Sequence, residues 1–238
     1  MAVRLDAAAD TLTRTVNLPT VTAFTMMGWF RIVVDRNDYS GFLHRGDTFG
    51  HALIVITGAD GLRLEYYDSD AVGGLVGTTL VLGTWYHIAF TRSGDTRTVY
   101  LNGVVDMQDT TGTPTVTDTQ MTFGNSFDSE FLNGRAAAIK VYDAVLTATE
   151  ILAESRQYAP VRWANLNGWY PLLDTATDQD DFSGNGNALT VGGTLATEEG
   201  PPIPWQRYKN RRGSSAEAAQ GWGHLLGSSR NRLVYVSR

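Results

Sequence analysis

The strongest constraint on how this chain can fold is the alternation of apolar and polar residues along TWYHIAFTRSGDTRTVYLNGVV, which starts at Thr84. Tyr86, Ile88 and Phe90 alternate with His87, Ala89 and Thr91. Successive side chains of an extended chain point to opposite faces, so one apolar row forms on one side of a strand and His87 falls on the polar side. Ser93-Gly94-Asp95 supplies turn chemistry, and Val99 and Leu101 restart the alternation as far as Asn102-Gly103. Those two residues tolerate the positive φ of a type I′ turn, so the stretch predicts a β-meander.

Further on, Ile139 and Val141 face one way in another strand, and Leu146-Thr147-Ala148-Thr149-Glu150-Ile151 carries helix-start devices. Thr147 can cap the first turn, Glu150 can reach back to its amide, and Leu146 can pack on Ile151 as a staple, which predicts one short helix from about Ala148 to Ser155. Upstream lie further strand signals at Ala2–Leu5, Leu12–Val16 and Leu80–Leu82, and a hairpin of Ala52–Ile56 and Leu62–Tyr67 around Gly58-Ala59-Asp60-Gly61. Phe24–Val33 is apolar on both faces, as in a central strand covered above and below. Many short strands separated by turn signals predict an all-β fold of two packed antiparallel sheets.

The 238 residues include no cysteine, so disulfides and thiolate metal sites are excluded and stability must come from packing. Such a sandwich can exceed the usual ~150 residues per domain and remain one domain. No apolar run reaches the ~18 residues that would span a bilayer. The start MAVRLDAAADTL lacks the basic-then-apolar layout of a secretion signal, so the expectation is a protein that begins in the cytoplasm. The net charge of −6 divides unevenly: residues 1–206 hold 12 Lys+Arg and 24 Asp+Glu, and residues 207–238 hold 7 and 1. An acidic body therefore carries a basic, Gly/Ser-rich tail that ends in an apolar strand signal, Leu233-Val234-Tyr235-Val236.

The segments FTMMGWFRI, WYHIAFTRSGDTRTVYLNG, MTFGN and FLNGRAAAIKVYDAVLTATEI, in that order, resemble the laminin-G-like, concanavalin A-like jelly-roll family. The resemblance runs from the N-terminus to Ser155 and implies a two-sheet antiparallel jelly-roll sandwich with one short helix and a C-terminal arm. It points to a binding or structural module more than to an enzyme. Gly168–Thr190, GWYPLLDTATDQDDFSGNGNALT, looks like the stretch that precedes the first strand in many members but here follows the helix. A rearranged order, in which 168–205 completes the sandwich of a domain covering 1–206, accounts for this. A second, truncated repeat is the alternative, and too little chain remains to build one.

A glycosidase of this kind needs two carboxylates across one glycosidic bond, at ~5–5.5 Å when retaining. Glu65 stands alone in its strand, and Asp68, Asp70, Asp128 and Glu130 read, with it, as solvated acids. His44, His51, His87 and His224 lack zinc spacing, and no Gly-x-Ser-x-Gly elbow is present. No catalytic residue and no cofactor is assigned. Calcium is the one metal raised, because related lectin folds hold it in rim loops: Asp178, Asp180, Asp181, Asn185 and Asn187 offer hard oxygens, although such clusters more often make plain turns. Among the aromatics, Trp29 and Trp85 fall in strand signals and Trp163, Trp169 and Trp205 read as closure residues, with Tyr66, Tyr67 and Trp222 left as exposed candidates for sugar stacking.

In the tail, residues 207–238, Arg207, Lys209, Arg211, Arg212, Arg230 and Arg232 can steer a partner by charge, and Leu233, Val234, Tyr235 and Val236 can add a strand to its sheet. The acidic body would repel a nucleic acid, which favours protein docking over nucleic-acid binding, with ordinary solvated disorder as the third reading of the tail. The sequence reading is a non-catalytic structural or adhesive module of a larger assembly. Missing signal, missing cysteines and the arm resemble phage virion proteins of the capsid-decoration, neck or tail type, assembled in the host cytoplasm, with capsid or tail proteins as partners. A carbohydrate-binding, lectin-like module of a bacterial surface or secreted protein is the alternative. A surface glycan and a second copy of the chain stay open as further partners, and no membrane is involved.

Overall fold

A computed structural model describes residues 1–36, 39–46, 51–58, 61–67, 75–112, 119–126, 130–176 and 178–204, with backbone alone at 51–58 and 61. The arm, from Arg207 to Val236 and its end, lies outside the described residues, as do Asp68, Asp70, Asp128, Trp205, Trp222 and His224.

The strands are β1 (Ala2–Leu5), β2 (Thr11–Arg14), β3 (Ala23–Ile32), β4 (Ser40–Arg45), β5 (His51–Gly58), β6 (Gly61–Tyr67), β7 (Leu75–Thr79), β8 (Tyr86–Ser93), β9 (Thr96–Leu101), β10 (Val104–Asp109), β11 (Met121–Phe123) and β12 (Gly134–Tyr142). The helix α1 (Ala148–Glu154) follows, then β13 (Leu166–Tyr170), β14 (Asp178–Gln179), β15 (Leu189–Gly192) and β16 (Ala196–Glu198). They form two antiparallel sheets. Sheet A runs β10-β9-β8-β3-β12-β1-β16 with β13 also on β12, and sheet B runs β14-β15-β2-β11-β4-β5-β6-β7. The meander β8-β9-β10 is the one the alternation predicts, and its last turn has Asn102 at φ 53° and Gly103 at φ 83°. As expected, β3 is central in sheet A, flanked by β8 and β12.

The core lies between the sheets. Phe24, Met26 and Phe30 of β3, Ile88 and Phe90 of β8 and Ile139 and Val141 of β12 meet Leu12, Phe42, Leu64, Tyr66 and Phe123 of sheet B. Ring contacts join the layers, with centroids 5.4 Å apart for Phe30 and Phe42 and 5.3 Å for Tyr66 and Phe90. These aromatic pairs add geometric preference to the burial that drives the sandwich together.

The chain after α1 contributes strands to both sheets: β13 and β16 pair with β12 and β1, and β15 pairs with β2. Strands β1 and β13 share one edge of β12, β1 along Gly134–Ala136 and β13 along Ile139–Tyr142. Between them β12 bulges at Ala138, at φ 50°, so that Ala137 and Ala138 both leave the inner face.

A second apolar cluster covers the outer face of sheet A, where Met27, Ala89, Tyr142 and Trp169 pack against Leu146 and Ile151 at the start of α1. The capping box is present as read, with Thr147 accepting from the Glu150 amide and Glu150 accepting from the Thr147 amide. At its other end α1 is pinned by a buried pair. The Lys140 ammonium donates to Glu154 Oε2 at 2.7 Å and to the carbonyls of Glu154 and Gln157, and Glu154 Oε1 accepts from the Tyr142 hydroxyl and the amides of Val161 and Arg162. Burial pushes the Tyr142 hydroxyl up, with the Glu154 charge adding to the shift, and it remains a neutral donor.

His87 is not on a wet face: it is 1% exposed, because the outer side of sheet A is itself covered, and it packs edge-on against Trp29, its partner across β3. Glu65 is not a solvated loop acid: it lies within β6 at 4% exposure, accepting from the Tyr67 hydroxyl at 3.0 Å, with Arg63 at 3.5 Å on the same face. Tyr66 is not exposed, because β7 pairs beyond β6 and its ring turns inward onto Phe90. Leu80–Leu82 is not a strand: β7 ends at Thr79, Leu80 is buried, and Val81 and Leu82 sit exposed in a turn closed by the Thr84 amide on the Val81 carbonyl.

Candidate functional site

At one end of the sandwich three connections converge: the chain leaving β2, the chain between β12 and β13, and the loop between β14 and β15. They enclose an open cleft of about 350 Å³ lined by Asn17, Asp143, Asn165, Leu166, Asn167, Asn185 and Asn187.

Each wall has a local cause. Strand β2 stops at Arg14, whose guanidinium folds forward onto the carbonyls of Val16 and Asn17, and Asn17 turns the chain at φ 50°. Asparagine is among the few side chains that adopt this conformation readily. Asn165, at φ 61°, does the same before β13, and its carbonyl accepts from the Asp143 amide at 2.9 Å. The Asp143 carboxylate in turn accepts from the Thr20 amide at 2.8 Å.

The third wall is the Asp-Phe-Ser-Gly-Asn-Gly-Asn loop. Its organiser is Asp181, whose carboxylate accepts from the amides of Trp169 at 3.0 Å, Ser183 at 2.8 Å and Asn187 at 3.0 Å. Gly184 and Gly186, at φ 87° and 74°, let the loop fold back over β13. Asn185 then donates to the Leu166 carbonyl and Asn187 to the Asn167 carbonyl, both at 2.7 Å. Below the loop the Tyr170 hydroxyl donates to the Asn187 carbonyl and accepts from Arg14, and burial pushes that hydroxyl up to about 12, so it stays protonated.

The same network bears on calcium. Both Asp181 oxygens are engaged by backbone amides, Asn185 and Asn187 turn their nitrogens to carbonyls, and Asp178 sits in β14 opposite Thr190. Among the described residues no three His, Asp or Glu side chains are grouped to hold a metal ion. These bonds hold the loop as a built turn.

The aromatic expectations divide. Trp169 is buried beneath α1, and the rings of Trp163 and Phe182, each 39% exposed, meet its edge with centroids 6.0 and 5.8 Å away. Trp29 and Trp85 are half-buried on the outer face of sheet A, with the Arg31 guanidinium over Trp85. Sequence reasoning found Asn185 and Asn187 but missed Asn17, Asp143, Asn165 and Asn167. A single asparagine at a strand end was the available signal at Asn17 and Asn165, and nothing in it joined positions so distant along the chain.

Comparison with known proteins follows the fold. The sequence profile described as the concanavalin A-like lectin/glucanases superfamily matches residues 6–152. The chain belongs to that superfamily. No curated protein sequence matches it. Among solved structures it is similar to a protein from Bacteroides ovatus to which carbohydrate binding is ascribed, with a TM-score of 0.65 and 16% identity over 85% of this chain; it spans 61% of that protein's length. It is similar to the heptameric SAP-like pentraxin of Limulus polyphemus, with a TM-score of 0.55 and 15% identity over 80% of this chain and 94% of the other. It is also similar to the enzymatically active domain of tailspike protein 2 of bacteriophage CBA120, with a TM-score of 0.58 and 16% identity over 71% of this chain and 29% of the other. At these identities the likeness is one of fold, and the fold serves enzymes as well as binding proteins. The superfamily match ends inside α1, so the Asn165–Asn187 side of the cleft lies beyond it. No helix among the described residues is long and apolar enough to cross a membrane.

Proposed function

We propose that the chain is a non-catalytic carbohydrate-binding module, an adhesive part of a larger assembly. The observation that carries this reading is the cleft: a concave, open site walled by carboxamides on a lectin-type sandwich. Carboxamides offer both donors and acceptors at fixed geometry, as a polyhydroxylated ligand requires. Hydrolysis would need two carboxylates flanking one bond, and Asp143 is the carboxylate among the lining residues, facing asparagines rather than a second acid. The experiment is a glycan array probed with the intact protein, followed by titration of the best ligand. Saturable binding that Asn17→Ala and Asn167→Ala both weaken is the expected result. Absence of binding across neutral, amino and acidic glycans would overturn the reading, and so would glycan cleavage that Asp143→Asn abolishes.

A second reading places the same module on a phage particle, with residues 207–238 as its docking arm. The likeness to a phage tailspike domain supports it, as does the change from an acidic body to a basic tail. Its partners would then be capsid or tail proteins. Stoichiometric recovery of the chain in purified particles is the expected outcome, and a chain found outside particles in an infected culture would count against it.

A further inference from the structure

The cleft has a polarity that its composition conceals. Asn167 directs its Nδ2 to the Asn17 carbonyl at 3.4 Å, Asn185 to the Leu166 carbonyl and Asn187 to the Asn167 carbonyl. A backbone carbonyl can only accept, so these three carboxamides are oriented by their partners, with nitrogen toward the protein. The Asn187 oxygen is then the partner of Asn17 Nδ2, at 2.9 Å, which orients Asn17 as well. What remains toward the cleft is weighted to acceptors. No described residue donates to the side-chain oxygens of Asn17 or Asn185, whereas the Asn167 oxygen is itself buried and out of a ligand's reach. Beside them stands the Asp143 carboxylate, with one oxygen held by the Thr20 amide. Two cations adjoin the cleft and both are engaged: Arg14 donates to the carbonyls of Val16 and Asn17, and Arg162 pairs with the Glu150 carboxylate at 2.7 Å while its other nitrogen donates to the Asn165 oxygen at 3.2 Å. Residues 1–206 carry 24 acids against 12 bases, which disfavours an acidic ligand from a distance as well.

We infer that the cleft selects an amino sugar whose amine is free and protonated. This rests on the carbohydrate-binding reading and adds the class of sugar. An ammonium brings three donors and no acceptor, the complement of several oxygens and one carboxylate. A neutral hydroxyl brings one donor and leaves its lone pairs without partners there, and an N-acetyl group replaces two donors by a carbonyl and a methyl. Hydrogen bonds in which donor or acceptor is charged are shorter and stronger, so the amine should dominate the choice.

The test compares chitosan oligomers, chitin oligomers of equal length and oligogalacturonate, titrated against the intact protein at physiological salt, where attraction between separated charges is largely screened. Chitosan oligomers should bind about tenfold or more tighter than chitin oligomers, and oligogalacturonate should not bind. Asp143→Asn keeps an oxygen for the Thr20 amide and should erase that preference. Asp6→Asn, at the far end of β2 from Asn17, removes an equal charge and should leave it intact. Equal affinity for the acetylated and free forms, a preference that survives Asp143→Asn, or one lost equally in Asp6→Asn would overturn the inference while glycan binding stands. Binding of none of these and of no glycan on the array would overturn both.

Discussion

His87 shows how burial rewrites the chemistry of one side chain. It is surrounded by protein on the outer face of sheet A, and burial first and the Lys140 charge second lower its pKa to about 3. The folded chain thus keeps a neutral imidazole at pH values where the unfolded chain protonates it. The sign follows from linkage: stability from this residue is complete above the unfolded histidine value of ~6.5 and is lost as the pH falls toward the folded value, by up to ~1.4 kcal/mol per pH unit. Urea unfolding should show the wild type losing about 2 kcal/mol more than His87→Gln between about pH 7 and about pH 5. Identical pH slopes in the two proteins would show that His87 is not held neutral. The alternation that places His87 opposite the apolar row is legible in the sequence, but the cover over that side is not, since it comes from α1 and Trp29, far along the chain.

At the scale of elements, α1 is a seven-residue helix, too short to persist alone, and it is held by its ends. The Thr147-Glu150 box satisfies orphan amides at the start and the Lys140-Glu154 pair fixes the end to β12. Glu150 lies below the ordinary carboxylate range, chiefly through its bond from the Thr147 amide. Thr147→Ala removes the hydroxyl that the Glu150 amide uses and should cost about 1 kcal/mol in urea unfolding, with Thr147→Ser recovering most of it. A Thr147→Ala protein as stable as the wild type would mean that packing of Leu146 and Ile151 alone sets the helix. The box was readable as four neighbouring residues because capping is local. The buried pair was not, because Lys140 and Glu154 meet only when β12 and α1 pack together.

For the whole molecule, the decisive fact is that the chain after α1 returns to both sheets. Cutting after Tyr158 removes β13 from β12, β15 from β2 and β16 from β1. It exposes Leu12, Val3 and Leu5 of the core and removes Tyr170, Leu172 and Leu189 from it. Losing several large buried side chains at ~2–5 kcal/mol each exceeds the ~5–15 kcal/mol that holds a domain folded. The fragment 1–158 should therefore show no cooperative thermal transition and should bind a dye specific for exposed apolar surface. A fragment that melts as sharply as the full chain would show that 1–158 is sufficient for the sandwich.

The strands of the meander, the central place of β3, the hairpin turns and the capped helix are determined by the sequence itself, because each depends on a period of two or on contacts a few residues apart. The family resemblance rests on the order of those same local patterns. The cleft is different. Asn17, Asp143, Asn167 and Asn187 are ordinary turn or strand residues in isolation, and what gives them a common face is the pairing of β13 with β12 and, across more than half the chain, of β15 with β2. Within its own loop Asp181 engages the amides of Ser183 and Asn187, and the packing of that loop on β13 adds the Trp169 amide and turns the Asn185 and Asn187 nitrogens onto β13 carbonyls. Which way those carboxamides turn is not legible in the sequence, since hydrogen-bond direction is set by neighbours that the fold supplies.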